Sequence, residues 1–131
     1  MINMKRAFII IVLSLIWLLA ACQKAPAQDA AAKSVETYLQ AKVNRDANTI
    51  RRLLCAELEP QYDTEVTTFE GTSNAHIDGM VCARVGESNV VKCTGKIVAD
   101  YGTEKNEFPL GSYRIKQEDG EWKWCGEAPT N

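Results

Sequence analysis

Apolar positions along this chain change their period twice. Ala7 to Leu19 is almost continuously apolar, with Ser14 the only polar interruption. From about Ala31 the spacing becomes helical. Val35, Leu39 and Val43 fall at i, i+4 and i+8 with Tyr38 beside them, while Lys33, Glu36, Gln40 and Lys42 take the polar side. That pattern predicts an amphipathic helix packed on one face. Asn44-Arg45-Asp46 interrupts it, and Asp46 suits the N-cap of a second helix carrying Ile50, Leu53, Leu54 and Leu58, with Arg51 and Arg52 outside and Cys55 near its end. Pro60 fits the first turn of a third helix, with Tyr62, Val66 and Phe69 on its apolar face and Gly71 as its stop.

After Gly71 the period becomes alternating. His76 to Val85 reads as a strand with Ile77, Val81 and Val85 on one face, and Gly86 to Asn89 reads as a turn. Val90 to Tyr101 is a second strand and Gly102 to Asn106 a loop. Glu107 to Gln117 is a third strand whose apolar parity flips between Phe108/Leu110 and Tyr113/Ile115, so a β-bulge is expected at Gly111. Asp119-Gly120 is a two-residue hairpin turn. It sets Ile115 opposite Trp124 and Gln117 opposite Trp122, with Tyr113, Ile115, Trp122 and Trp124 on one face. Helices first and strands afterwards predict an α+β domain, with N-terminal helices packed on a curved four-stranded antiparallel sheet.

The first apolar run is a different kind of segment. Lys5 and Arg6 precede it, small residues Ala20 and Ala21 end it, and it is shorter than the roughly 20 residues of a spanning helix. It reads as a secretory signal over residues 1–21. Leu19-Ala20-Ala21-Cys22 resembles the lipobox of bacterial lipoproteins, which implies cleavage before Cys22 and acylation of that residue. Two or more acyl chains hold a protein stably at a membrane, whereas one does so marginally. Gln23 after the cysteine implies, by the same resemblance, the outer membrane where the bacterium has one. The expected localisation is the bacterial cell envelope, outside the cytoplasm. Residues 22–32, rich in Ala with Pro26, read as a tether, and residues 33–128 as one small domain.

Charge and cysteines follow from that division. The signal carries Lys5 and Arg6 and no acidic residue, so its removal takes the net charge from −2 to −4. An acidic domain argues against a nucleic-acid partner. Of the 5 cysteines, lipidation of Cys22 would leave Cys55, Cys82, Cys93 and Cys125, an even number in an exported chain. Pairing Val85 with Val90 across the turn sets Cys82 opposite Cys93, which favours Cys82–Cys93 and, by elimination, Cys55–Cys125. Two difficulties stand against it. The register mixes polar and apolar residues on one face unless a bulge breaks the Cys alignment, and Cys125 alternates away from Trp122 and Trp124. Cys55–Cys82 with Cys93–Cys125, and Cys55–Cys93 with Cys82–Cys125, stay open. The gaps between cysteines are long for a zinc site, which uses closely spaced pairs.

The segments Tyr38-Leu39-Gln40-Ala41, Asp46 and Leu53-Leu54-Cys55, with the closing run from Tyr113 to Gly126, resemble cystatin-like, nuclear-transport-factor-2-like (SnoaL-like) domains, and more narrowly the small bacterial lipoproteins among them. The resemblance spans roughly residues 33–127. It implies a cone with a pocket between sheet and helices. Members include isomerases, dehydratases, adaptors and proteins without known activity, so the fold transfers no function.

Candidate chemistry is sparse. Tyr62, His76, Tyr101, Tyr113, Trp122 and Trp124 are the candidates to line a cone pocket for an apolar ligand, with a small packed core as the plainer reading. His76 has Asp78 two residues on, on the same strand face. Asp63, Asp78 and Asp100 could each be a general base, and none sits in a catalytic motif. Lys92, Thr94 and Lys96 alternate along a solvated face. There is no phosphate loop and no nucleophile motif. The expected function is a non-catalytic binding or interaction module, anchored to the membrane through Cys22 and meeting a protein or a small apolar ligand, with no cofactor and no metal. The alternatives are a small pocket enzyme of the isomerase or dehydratase kind, or a structural lipoprotein of envelope assembly.

Overall fold

The structure, a computed structural model, describes residues 29–129. The expected signal, the lipobox-like run and Cys22 lie outside the described residues. Helix α1 spans Ala30–Asn44. Its first turn is fixed by Asp29, whose carboxylate accepts from the N–H of Ala31 at 2.8 Å and of Ala32 at 3.3 Å. Ala31 and Ala32 are buried against the sheet, so the helix begins within the segment expected to be tether. Arg45 ends it in the left-handed conformation, with a φ of 56°.

Helix α2 spans Ala47–Leu53 and is capped by Asp46, which accepts from the Thr49 N–H at 3.2 Å and its hydroxyl at 2.6 Å. The apolar stripe was expected to run on to Leu58. Instead the helix stops before Leu54, which is extended and bridges to Trp124 in parallel fashion. The Cys55 N–H then donates to the Trp124 carbonyl at 3.0 Å. Once Leu54 and Cys55 find backbone partners on a sheet edge, the helix has no cause to continue. Pro60 lies inside a 3-10 turn, Ala56–Gln61, rather than opening the third helix, and α3 follows at Tyr62–Thr67. The hydroxyls of Thr67 and Thr68 donate back to the carbonyls of Asp63 and Thr64, and α3 ends there.

Five antiparallel strands follow, not four: β1 Ser73–Arg84, β2 Val90–Tyr101, β3 Glu104–Pro109, β4 Ser112–Glu118 and β5 Glu121–Glu127. The order across the sheet is β1-β2-β4-β5, with β3 beside the far end of β2. The expected third strand is broken at Leu110–Gly111 into β3 and β4, and the expected loop at 102–106 is a tight turn, with Glu104 already in β3. The break sits where the bulge was placed, but the added residue is on β2. Lys96 pairs with Pro109 whereas Lys92 pairs with Ser112. Gly95 carries the distortion at a φ of 104°, and a Cβ there would meet the Asp78 carbonyl at 2.6 Å. Gly95→Ala is therefore expected to destabilise the fold by about 3 kcal/mol, from a strained backbone and an overpacked contact together. Chemical denaturation checks this, and an unchanged midpoint would contradict the crease at Gly95.

The register of β1 on β2 keeps the cysteines aligned and still repairs the faces. Cys82 pairs with Cys93, and the shift lies beyond them, between Asp78 and Val81, which brings Ile77 opposite Ile97. In the last hairpin Asp119 and Gly120 have φ of 53° and 75°, the type I′ signature, and Ile115 pairs with Trp124 and Gln117 with Trp122. A second shift between Tyr113 and Ile115 puts an added residue on β5 beside Gly126, at a φ of 93°. That bulge turns β5 so that Cys125 and Trp124, neighbours in sequence, are both buried. The main core lies between α1, α2 and the sheet, built from Val35, Tyr38, Leu39, Ile50, Leu53, Val91, Tyr113, Ile115 and Trp124. Among the described residues no helix is long and apolar enough to cross a membrane.

Candidate functional site

Two disulfides staple this core. Cys55–Cys125 ties the segment after α2 to β5 with Cα atoms 5.4 Å apart, and Cys82–Cys93 crosses β1 and β2 at 4.1 Å. The pairing favoured by the register is the one present. With all four sulfurs paired, none is a thiolate ready to bind a metal.

Between helices and sheet, where a cone pocket would open, lies a packed polar and aromatic cluster. The Tyr38 ring stacks on Trp124 with centroids 4.3 Å apart and planes 11° from parallel. The Tyr38 hydroxyl donates to Glu65 Oε2 at 2.7 Å, and Lys42 Nζ reaches the same oxygen at 2.7 Å. Lys42 Nζ also stands 5.4 Å from the centroid of the Trp124 ring. Helix geometry brings these groups together. Tyr38 and Lys42 are i and i+4 on α1, and α3 faces them with Glu65. Glu65 is the only buried charged residue among those described. Trp124 Nε1 is buried without a hydrogen-bond partner among the described residues.

Burial, and next the hydrogen bond and charge of Glu65, push the Tyr38 phenol far above its ordinary value of 10.0. Burial likewise raises Tyr113, against a lowering contribution from the Gly111 N–H that its oxygen accepts at 3.3 Å. A folded-state pKa above the unfolded one adds stability below the unfolded value. That stability is lost as pH rises from about 10 toward the folded value, at about 1.4 kcal/mol per pH unit for each such group. The oxidised protein is thus expected to lose stability steeply above pH 10, and Tyr38→Phe to remove one proton's share of that slope. Denaturation curves across pH 8 to about 11 measure this, and identical slopes for the two proteins would contradict the buried Tyr38–Glu65 bond.

The residues expected to line one pocket are dispersed. Tyr113 and Trp124 are in the core. Trp122 is half-buried with the Arg84 guanidinium 4.7 Å from its ring centroid. Tyr62 is half-buried under Arg51, whose guanidinium stands 3.9 Å from the ring centroid, and its hydroxyl donates to the Ala47 carbonyl at 3.2 Å. Tyr101 is exposed at the end of β2 with its edge toward Phe108. His76 is exposed on β1, its Nε2 3.3 Å from Asp78 and its Nδ1 2.6 Å from the Asn74 carbonyl. The pair read from sequence forms, but in solvent. Asp63 is exposed on α3, and Asp100 accepts from the Asn74 side chain at 2.8 Å. Lys92 and Thr94 are exposed, and Lys96 pairs with Glu107 at 2.8 Å. The surface openings take in these candidates singly, Trp122 in one and Tyr62 in another. One of about 320 Å³ lies beside Ala30, Lys33 and Trp122, and one of about 620 Å³ beside Val85, Lys92 and Pro129.

Sequence reasoning missed the Tyr38–Glu65–Lys42 cluster, although a signal was there. Glu65 lies three residues after Tyr62 and four before Phe69, on the apolar face of its helix. A carboxylate at such a position needs a buried partner. No family model matches the chain, and a search of curated proteins finds no relative.

Proposed function

We propose that this chain is a lipid-anchored protein of the bacterial cell envelope, held outside the cytoplasm through Cys22, whose disulfide-stapled domain is a non-catalytic interaction module of the cystatin-like, nuclear-transport-factor-2-like kind. The observation that carries the reading is the pairing of Cys55 with Cys125 and of Cys82 with Cys93, which uses every cysteine except the one in the lipobox. Disulfides of this kind belong to oxidising compartments, so they support export, and Cys22 is left for the anchor. The antiparallel sheet packed against α1, with register shifts at Gly95 and beside Gly126, supports the cone reading. The interior a substrate would need is filled by the Tyr38–Trp124 stack, and both donors near Glu65 already engage its carboxylate, which supports binding over catalysis. In a bacterium with an outer membrane, the anchor would rest there.

The test is fractionation of cells making the full chain or its Cys22→Ser variant, with metabolic labelling by a palmitate analogue. The reading expects label and membrane partition for the first, and loss of label with retention of the unprocessed signal for the second. An unlabelled wild-type chain, recovered free in the envelope fluid, overturns it.

A further inference from the structure

The two long edges of the sheet are treated differently. The β5 edge is covered by Leu54 and Cys55, through the parallel bridge to Trp124 and the Cys55 N–H bond. The β1 edge is bare of strand or bridge among the described residues. The Val85 N–H donates to Val90, so the backbone groups of Val81, Ala83 and Val85 point into the sheet and those of Cys82 and Arg84 point out of it. Glu36 of α1 engages that outward row, accepting from the Cys82 N–H at 3.3 Å. The side chains add a second feature. Cys82 faces the core, so Val81, Ala83 and Val85 face away from the helices. Val81 is 65% exposed and Val85 49%, the two most exposed large apolar side chains among the described residues.

We infer that β1 pairs antiparallel with β1 of a second copy of this chain, about a two-fold axis at Ala83. In that register Val81 stands opposite Val85 of the other copy, Ala83 opposite Ala83, and Val85 opposite Val81, so the whole exposed apolar row is matched with itself. The outward N–H and C=O of Cys82 and Arg84 meet those of Arg84 and Cys82 across the axis. Moving the axis to Cys82 would set Val85 against Gly79 and leave the row unmatched. One bare long edge per chain gives a closed pair and not a filament. The Gly79–Met80 bulge limits the ladder to the residues from Val81 onward, and Glu36 competes for the Cys82 N–H. The pairing is therefore weak in dilute solution and favoured where copies are concentrated, as at a membrane surface. It does not depend on lipidation at Cys22.

Sedimentation velocity of the purified full-length chain in mild detergent, over a wide concentration range, tests the register. Val81→Lys and Val85→Glu, made singly, set like charges near an apolar partner and are each expected to weaken association about tenfold. The double variant sets Lys opposite Glu twice across the axis and is expected to recover most of it. Glu36→Ala frees the outward N–H and is expected to strengthen association. Circular dichroism of the valine variants should match the parent, because Val81 and Val85 are exposed. Association that ignores the single substitutions is chance sharing of a micelle and overturns the proposal. So does a monomer at every concentration, or single losses that the double variant does not rescue.

Discussion

Replacing Cys55 and Cys125 together by alanine is expected to cost about 4 kcal/mol of folding stability, against about 3 kcal/mol for Cys82 and Cys93. The ordering follows from loop length. The first bridge joins residues 70 apart in sequence and the second joins residues 11 apart. In the chain-entropy account the longer closure removes more freedom from the unfolded chain. The loss would fall on a domain of about 100 residues whose total stability is on the order of 5–15 kcal/mol. The first bridge also fixes the segment that covers the β5 edge, so its loss should free Leu54 and Cys55 from Trp124. Urea denaturation of the two double variants, with Trp fluorescence as the signal, decides it. A smaller loss for Cys55/Cys125 than for Cys82/Cys93 would contradict the ordering.

The second large effect is expected at Glu65. Glu65→Ala removes the acceptor of both Tyr38 and Lys42 and leaves an ammonium and a phenol in a mostly buried site. Breaking one partner of such a pair typically costs about 3–5 kcal/mol. The side chains of Lys42 and Glu65 are 17% and 11% exposed, so solvent screens them little. Replacing both by apolar residues of similar shape, Lys42→Met with Glu65→Leu, removes the stranded charge as well and is expected to recover part of the loss, the rest staying with the Tyr38 hydroxyl left without its acceptor. The Trp124 ring reports on the cluster because Tyr38 stacks on it and Lys42 stands over it. Its emission should shift in Glu65→Ala and return toward the parent in the double variant. If the double variant were as unstable as the single one, the cluster would matter for its shape and not for its charge pairing.

Much of the fold was legible because its signals are local. Asp46 capping α2, the bounds of β2 and the Asp119-Gly120 hairpin with its register rest on residue types whose chemistry acts on near neighbours. The Cys82–Cys93 match followed from the turn that joins β1 to β2. What was misread depends on partners distant in sequence. Gly111 marked the break in the third strand, but the extra residue sits on β2, because a bulge belongs to a pair of strands and Gly95 is the residue able to take it. Leu54 and Leu58 kept the helical period, yet α2 stops at Leu53 because the β5 edge offers Leu54 and Cys55 better partners. Cys125 was hard to place for the same reason. The bulge at Gly126 that lets it be buried beside Trp124 is visible only once β4 and β5 are paired.

The candidate site was less legible than the fold. Six aromatic residues were candidates to line one pocket, with a small packed core as the plainer reading. Their directions differ, so some fill the core and others rim the surface. Lys42 was assigned to the polar side of α1, and Glu65 was not weighed at all. A long charged side chain reaches a buried partner by lying along the apolar face, which composition and period alone do not show.

The proposed anchor at Cys22 is the central claim, and mass spectrometry of the mature chain recovered from the cells that make it tests it most directly. The account predicts a mature N-terminus at Cys22, bearing a thioether-linked diacylglycerol, with Cys55–Cys125 and Cys82–Cys93 intact. A mature chain that begins elsewhere, or one that keeps Cys22 as a free thiol, would contradict it.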